Sequence, residues 1–190
     1  MIPYTEEETF INLDYTSETF ELGDFEYCTF INCNFSGIKL AKANFMECDF
    51  QECNFSNSDL TGCSIQDIEF INCKMIGLEF DRCNPISFGG KFQNCQLDHS
   101  SFYKMKMRHS KFENSSLHGV DFTETELPNV PFTGCDLHNA KFDHTDLEEA
   151  DFRKAINYQI DPDNNRIKGA IFSKDGLEGL LAKYQIEVED

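Results

Sequence analysis

From Phe20 onward a large apolar residue stands at every fifth position: Phe20, Phe25, Phe30, Phe35, Leu40, Phe45, Phe50, Phe55, Leu60, Ile65, Phe70, Met75 and Phe80. The irregular stretch 81–91 (DRCNPISFGGK) shifts the phase by two residues. The series then resumes at Phe92 and runs through Phe102, Phe112, Phe122, Phe132 and Phe142 to Phe152, with Leu or Met halfway between. Two residues before each of these lies a second column of small residues, and it holds all nine cysteines, among them Cys33, Cys53 and Cys73.

A period of five fits neither a helix nor a long strand. Residues two apart can, however, share one side of a short extended segment, after which the chain must turn. One small and one large inward residue per side, followed by polar corner residues, wind a chain into a coil that stacks on itself. Hydrogen bonds then run between coils about 4.8 Å apart. Phe30, Phe50, Phe70, Phe112, Phe132 and Phe152, with Cys33, Cys53 and Cys73, are the expected structural core.

Units such as CTFIN, CNFSG, ANFME, CDFQE, CNFSN and ADFRK resemble the A-(D/N)-(L/F)-x-x consensus of pentapeptide-repeat proteins. The resemblance covers about residues 20–156. It implies an all-β fold, a right-handed quadrilateral parallel β-helix with four units per coil and a 20-residue stacking period. The pairs Cys28 and Cys48, Cys53 and Cys73, and Cys63 and Cys83 all fall 20 apart, as such stacking requires.

Three regions are expected: an irregular N-terminal cap at 1–19, a solenoid over 20–172 with its two-residue irregularity within 81–91, and a C-terminal helix and tail at 173–190. Glu8 and Glu18 occupy the small-residue column, where an unpaired carboxylate does not belong in a dry core. After Phe152 the segment NYQIDPDNNR leaves the repeat, and Ile167, Ala170 and Phe172 return to it, so a last distorted coil turning at Asp-Pro-Asp-Asn is expected. Ser173 is placed to N-cap a short helix with Asp175 in its first turn. Leu177, Leu180, Leu181 and Tyr184 share one face of that helix, and Gly176 and Gly179 weaken it. IEVED, alternating Ile186 and Val188 with acids, reads as a terminal strand. The apolar face is either a lid on the last coil or a lid that also pairs with a second copy. Qnr-type and MfpA-type members dimerise through a similar helix, so the resemblance implies a homodimer.

The chemistry-bearing residues assemble no evident catalytic or cofactor site. The cysteine spacing is the repeat period and not a zinc-ligand spacing, so small, buried, reduced core thiols are expected, with no metal. Asp98, His118 and His138, 20 apart, are expected to stack on one outer face as a solvated ladder, with a weak metal or proton site as the sharper reading. The lone Gly89-Gly90 pair is a poor phosphate loop, and no enzymatic activity is expected. The N-terminal MIPYTEEETF lacks the basic and apolar regions of a signal peptide. No stretch approaches the ~20 apolar residues of a membrane span. A cytoplasmic protein without membrane contact is the expectation.

Charge is the informative surface property. The formal net charge is -18. Residues 1–73 contain 14 acids against Lys39 and Lys42, whereas residues 74–190 contain 20 acids against 14 bases. A chain this acidic repels nucleic acid, because phosphate recognition needs Lys and Arg. The cluster Lys104, Lys106, Arg108 and Lys111 is too local to reverse this. The resemblance to Qnr-type and MfpA-type proteins implies instead a DNA mimic that binds type II topoisomerase (DNA gyrase and topoisomerase IV) and protects it from quinolones. A general protein-interaction scaffold is the alternative, and a redox- or metal-responsive protein is a third class.

Overall fold

Three extended residues and a corner form the repeating element, and the computed structural model, which describes residues 3–86 and 88–187, winds these elements into a parallel β-helix. On the first side lie β1 (Tyr4–Glu6), β3 (Asp24–Glu26), β5 (Asn44–Met46) and β7 (Ser64–Gln66). The second side carries β2 (Thr9–Ile11), β4 (Thr29–Ile31), β6 (Asp49–Gln51), β8 (Ile68–Ile71), β9 (Gly90–Gln93), β10 (Lys111–Glu113) and β11 (Phe132–Thr133). All pairings are parallel. Their register is 20 residues, as in Phe10↔Phe30 and Phe30↔Phe50, and becomes 22 at Phe70↔Phe92, where the insertion intervenes. The third and fourth sides are joined by single bridges such as Asn34↔Asn54 and Lys39↔Asp59.

The fivefold spacing sets the core. Phe10, Phe30, Phe50, Phe70, Phe92, Phe112, Phe132, Phe152 and Phe172 form one column, each ring stacked on the next at centroid distances of 4.6–5.3 Å. Eight steps of about 4.8 Å make a rod about 38 Å long. The inserted stretch 81–91 keeps the core continuous. Phe88 is buried and meets Phe80 edge-on, while Ile86 stands 75% exposed.

The corners show why the polar residues alternate as they do. Every left-handed residue from Asn12 to Glu149 sits two places after the inward apolar one, and Asn and Gly dominate there, as at Asn12, Asn32, Asn57, Asn72, Gly37 and Gly77. A turn that needs φ > 0 at its third residue selects those two types. Glu47 and Glu52 adopt it as well, at about 1–2 kcal/mol each.

The small inward column has a second duty. Cys48 Sγ donates to the Phe25 carbonyl, Cys53 Sγ to Phe30 and Cys73 Sγ to Phe50, at 3.3–3.5 Å. Ser58, Thr125 and Thr145 hydroxyls donate to Phe35, Phe102 and Phe122 in the same way at 2.6–2.8 Å. At these positions the small residue therefore also satisfies a carbonyl of the coil below, while Ala43, Ile68, Val120 and Val130 fill the same column by volume alone.

Both ends depart from expectation. Residues 4–15 are a true first coil rather than an irregular cap, since β1 and β2 pair in full register with β3 and β4. Glu8 and Glu18 are exposed. At the other end Phe172 stacks on Phe152, and the turn at Asp161 closes with an Asn164 N–H bond to its carbonyl. The helix α1 spans only Glu178–Leu181 and continues as a 3-10 turn at Ala182–Tyr184. Ser173 caps the preceding turn instead, its hydroxyl accepting from Gly176 N–H at 3.2 Å. The C-terminal strand is not formed at 185–187, where Gln185 takes a left-handed φ of 51°; Val188 lies outside the described residues.

Candidate functional site

Outward positions on the first two sides gather the N-terminal acids. Glu6 and Glu26 share one row of the first sheet, Tyr27, Glu47 and Asp67 follow one another at its corner, and Asp49 and Glu69 pair in register on the second side. Tyr4 donates its hydroxyl to Glu26 at 2.8 Å and Tyr27 to Glu47 at 3.1 Å. The Glu47 carboxylate raises the Tyr27 phenol above its ordinary range. Partial burial, with Glu69 beside it, pushes the Asp49 carboxyl upward. Among the described residues, Lys91 with Glu69 is the one salt bridge that reaches an acid of residues 3–73.

The C-terminal half is stitched by opposite charges. Lys104 meets Glu124 at 3.4 Å, Lys106 and Arg108 converge on Glu126 at 3.4 and 2.7 Å, and Arg166 reaches Asp146 and Glu148 at 3.3 and 3.0 Å. The basic cluster noted in the sequence thus faces Glu124 and Glu126 one coil along, three of its four members being paired.

At the C-terminal end the expected helix face divides. Leu180 packs on the core, whereas Leu177 is 47%, Leu181 37% and Tyr184 57% exposed. The two glycines have a role that sequence reasoning missed: a Cβ on Gly176 would collide with the Tyr158 hydroxyl, and one on Gly179 with the Tyr158 carbonyl. Their absence of side chain lets the segment lie flat on Tyr158. Ile160 N–H donates to Gly179 O at 3.0 Å, and Lys183 bridges Asp161 and Asp163. An open cleft of ≈ 780 Å³ runs beside this lid, with Ile156, Leu181 and Ile186 on its walls.

Asp98, His118 and His138 do stand together. Asp98 Oδ1 accepts from the His118 backbone N–H at 3.1 Å, His118 Nε2 lies 3.0 Å from Asp136 Oδ2, and the two imidazoles meet edge-on at 5.8 Å. Among the described residues no three His, Cys, Asp or Glu side chains converge as metal ligands. All nine cysteines are unpaired and buried, and burial pushes the thiols of Cys48, Cys63 and Cys135 up to about 12. Such thiols carry almost no thiolate at neutral pH. Phe30, Phe50, Phe70, Phe112, Phe132, Phe152, Cys33, Cys53 and Cys73 are all buried. Among the described residues no helix is long and apolar enough to cross a membrane.

A sequence profile described as pentapeptide repeat region matches residues 23–87 and 88–156. No curated protein sequence matches the chain. Among solved structures, HetL, a pentapeptide repeat protein involved in heterocyst differentiation regulation from the cyanobacterium Nostoc sp. strain PCC 7120, superposes with a TM-score of 0.72 at 16% identity, covering 91% of this chain and 87% of its own. QnrB1, a plasmid-mediated fluoroquinolone resistance protein, gives 0.51 at 19% identity in a trypsin-treated variant, covering 98% and 100%. At these identities the likeness is one of fold.

Proposed function

The chain belongs to the pentapeptide-repeat family, and from that premise we propose that it acts as a non-enzymatic acidic rod that docks into a cationic groove of a partner protein. The observation that carries this is the uncompensated charge of the N-terminal half: 14 acids against two lysines in residues 1–73, with a single salt bridge reaching them among the described residues. Carboxylates held at fixed coil spacing without counter-charges attract a basic surface and repel an acidic one.

The groove proposed is the DNA-binding surface of a type II topoisomerase. A B-DNA segment of about 38 Å carries ~22 negative charges, comparable with the net charge of -18, and the fold is shared with a fluoroquinolone resistance protein. Gyrase supercoiling, assayed with and without a fluoroquinolone over a range of salt, tests this. Micromolar protein is expected to inhibit supercoiling or to relieve the drug's effect, and to do so less as salt screens the charges over roughly 10 Å at 0.1 M. No effect in either assay removes the topoisomerase. Such a partner places the protein in the cytoplasm. The exposed Leu177, Leu181 and Tyr184 support a homodimer joined at the C-terminal ends, which sedimentation of wild type and Leu181→Glu would reveal.

A general scaffold is the second reading, because the fold is also shared with HetL, a pentapeptide repeat protein involved in heterocyst differentiation regulation. Its signature is a partner captured without any effect on topoisomerase and with binding that salt leaves unchanged.

A further inference from the structure

One outward column of the second side carries three isoleucines and one glutamine where its surroundings are acidic. Ile11, Ile31, Gln51 and Ile71 are neighbours in register on β2, β4, β6 and β8. Their inward neighbours Phe10, Phe30, Phe50 and Phe70 fill the core, so the strand alternation sends the isoleucines outward. Ile11 is 52% exposed, and Ile31 and Ile71 are half-buried. Continuing up the rod, the same column turns polar at Gln93, Glu113 and Thr133. The three isoleucines are therefore confined to the half of the rod poor in counter-charges. Asp49 and Glu69 flank the column on the same strands, and Glu52 stands at the adjoining corner.

We propose that this face is the docking surface for a basic amphipathic α-helix of a partner protein, laid along the rod axis; the proposal rests on the acidic half being the region that takes a cationic partner. The geometry matches, because coils repeat at about 4.8 Å and a helix at 5.4 Å per turn. Apolar side chains one turn apart meet successive coils over two or three turns. Ile11 to Ile71 spans three coil steps, about 14 Å, the length of roughly ten helical residues. Lys and Arg flanking the helix's apolar stripe then reach Asp49 and Glu52, Glu69 being paired with Lys91. Other occupants fit less well. β4 and β6 are already paired on both edges, so no strand can add between coils. A second copy of the same face opposes acid to acid, and nucleic acid or an anionic membrane is repelled.

The test uses a labelled Leu/Lys peptide of about 18 residues, with Leu at helical spacing on one face, and a scrambled peptide of the same composition. Fluorescence anisotropy against the full chain at about 0.15 M salt reads the affinity. The amphipathic peptide is expected to bind at least ~10-fold more tightly than the scrambled one. The outward substitutions Ile31→Ser and Ile71→Ser together, with unchanged circular dichroism, are expected to abolish that difference, while Ile156→Ser at the far end leaves it intact. Equal binding of both peptides, or a preference that survives the double substitution, overturns the helix site while leaving the acidic surface standing. Binding of neither peptide overturns the cationic-partner reading and this site with it.

Discussion

The two halves of the rod share one backbone plan and fill it differently. Below the insertion the aromatic rings crowd adjacent sides: Phe20, Phe25, Phe30 and Phe35 follow one another around the coil, the last three meeting edge-on. Above it, phenylalanine occupies only the second and fourth sides, as in Phe102, Phe112, Phe122 and Phe132, with Met107, Leu117 and Leu127 at the positions between them. The small column changes as well, from mostly cysteine to mostly Ser, Thr, Val and Ala. Outside, the lower half is acidic with few ion pairs, Glu69 with Lys91 and Glu79 with Arg82, and the upper half is laced with them. The difference teaches that the coil requires inward volume at given places, accepts either a carbonyl-bonding donor or an aliphatic group in the small column, and leaves surface charge free to vary.

The largest effects should come from the core. Phe50→Ala and Phe132→Ala are each expected to cost about 3–5 kcal/mol. Because each coil contacts only its neighbours, hydrogen exchange should show Phe50→Ala loosening residues 4–60 while 92–172 stay protected, and Phe132→Ala the reverse. Uniform loss of protection in both variants would mean that the halves unfold as one unit.

The lid comes next. Gly179→Ala drives a methyl group into the Tyr158 carbonyl, and an overpacked contact of this kind costs about 1–3 kcal/mol. Limited proteolysis should then cut after Lys174 or Lys183 sooner than in wild type, with the lower half unaffected.

Smaller still is the donor column. Thr125→Val removes the hydroxyl that bonds the Phe102 carbonyl, which still accepts from the Met105 N–H, and is expected to cost about 0.5–1.5 kcal/mol. Cys53→Ser keeps a donor toward Phe30 and should cost less than about 1 kcal/mol, measured by denaturant titration. Equal costs would show that volume alone governs the position.

Acidification should separate the halves most gently. Arg108 holds the Glu126 carboxyl below its ordinary range, Arg153 that of Asp151 and Lys183 that of Asp161. A carboxyl depressed in the folded state stabilises the fold above its unfolded pKa and loses that contribution as pH falls toward the folded value. The upper half should therefore lose hydrogen-exchange protection below about pH 4. In the lower half the groups oppose one another: Asp14 and Asp59, held low by hydrogen bonds from Thr16 and Thr61, lose their contribution with acid, whereas Asp49, raised by burial, is relieved as pH drops through its folded pKa. Stronger loss in the lower half would contradict this assignment.

The repeat, its phase shift and the inward columns were legible because a fivefold pattern repeated over most of the chain admits few foldings. Charge asymmetry was legible by counting. The first coil was hidden because Thr5 and Glu8 stand where large and small apolar residues belong, and the pairing of β1 with β3 overrides that weak pattern. The glycines of the lid read as helix breakers, and only contact with Tyr158 shows them to be clearances.

Sequence alone determined that this chain winds into a stacked coil with aromatic and thiol columns inside and carboxylates outside, since no other arrangement buries a residue at every fifth place. Tertiary structure decided which outward residues become neighbours. Ile11, Ile31 and Ile71 are 20 or more residues apart along the chain, and they share one outward column, with Gln51 between the last two, because the inter-coil hydrogen bonds set them in register.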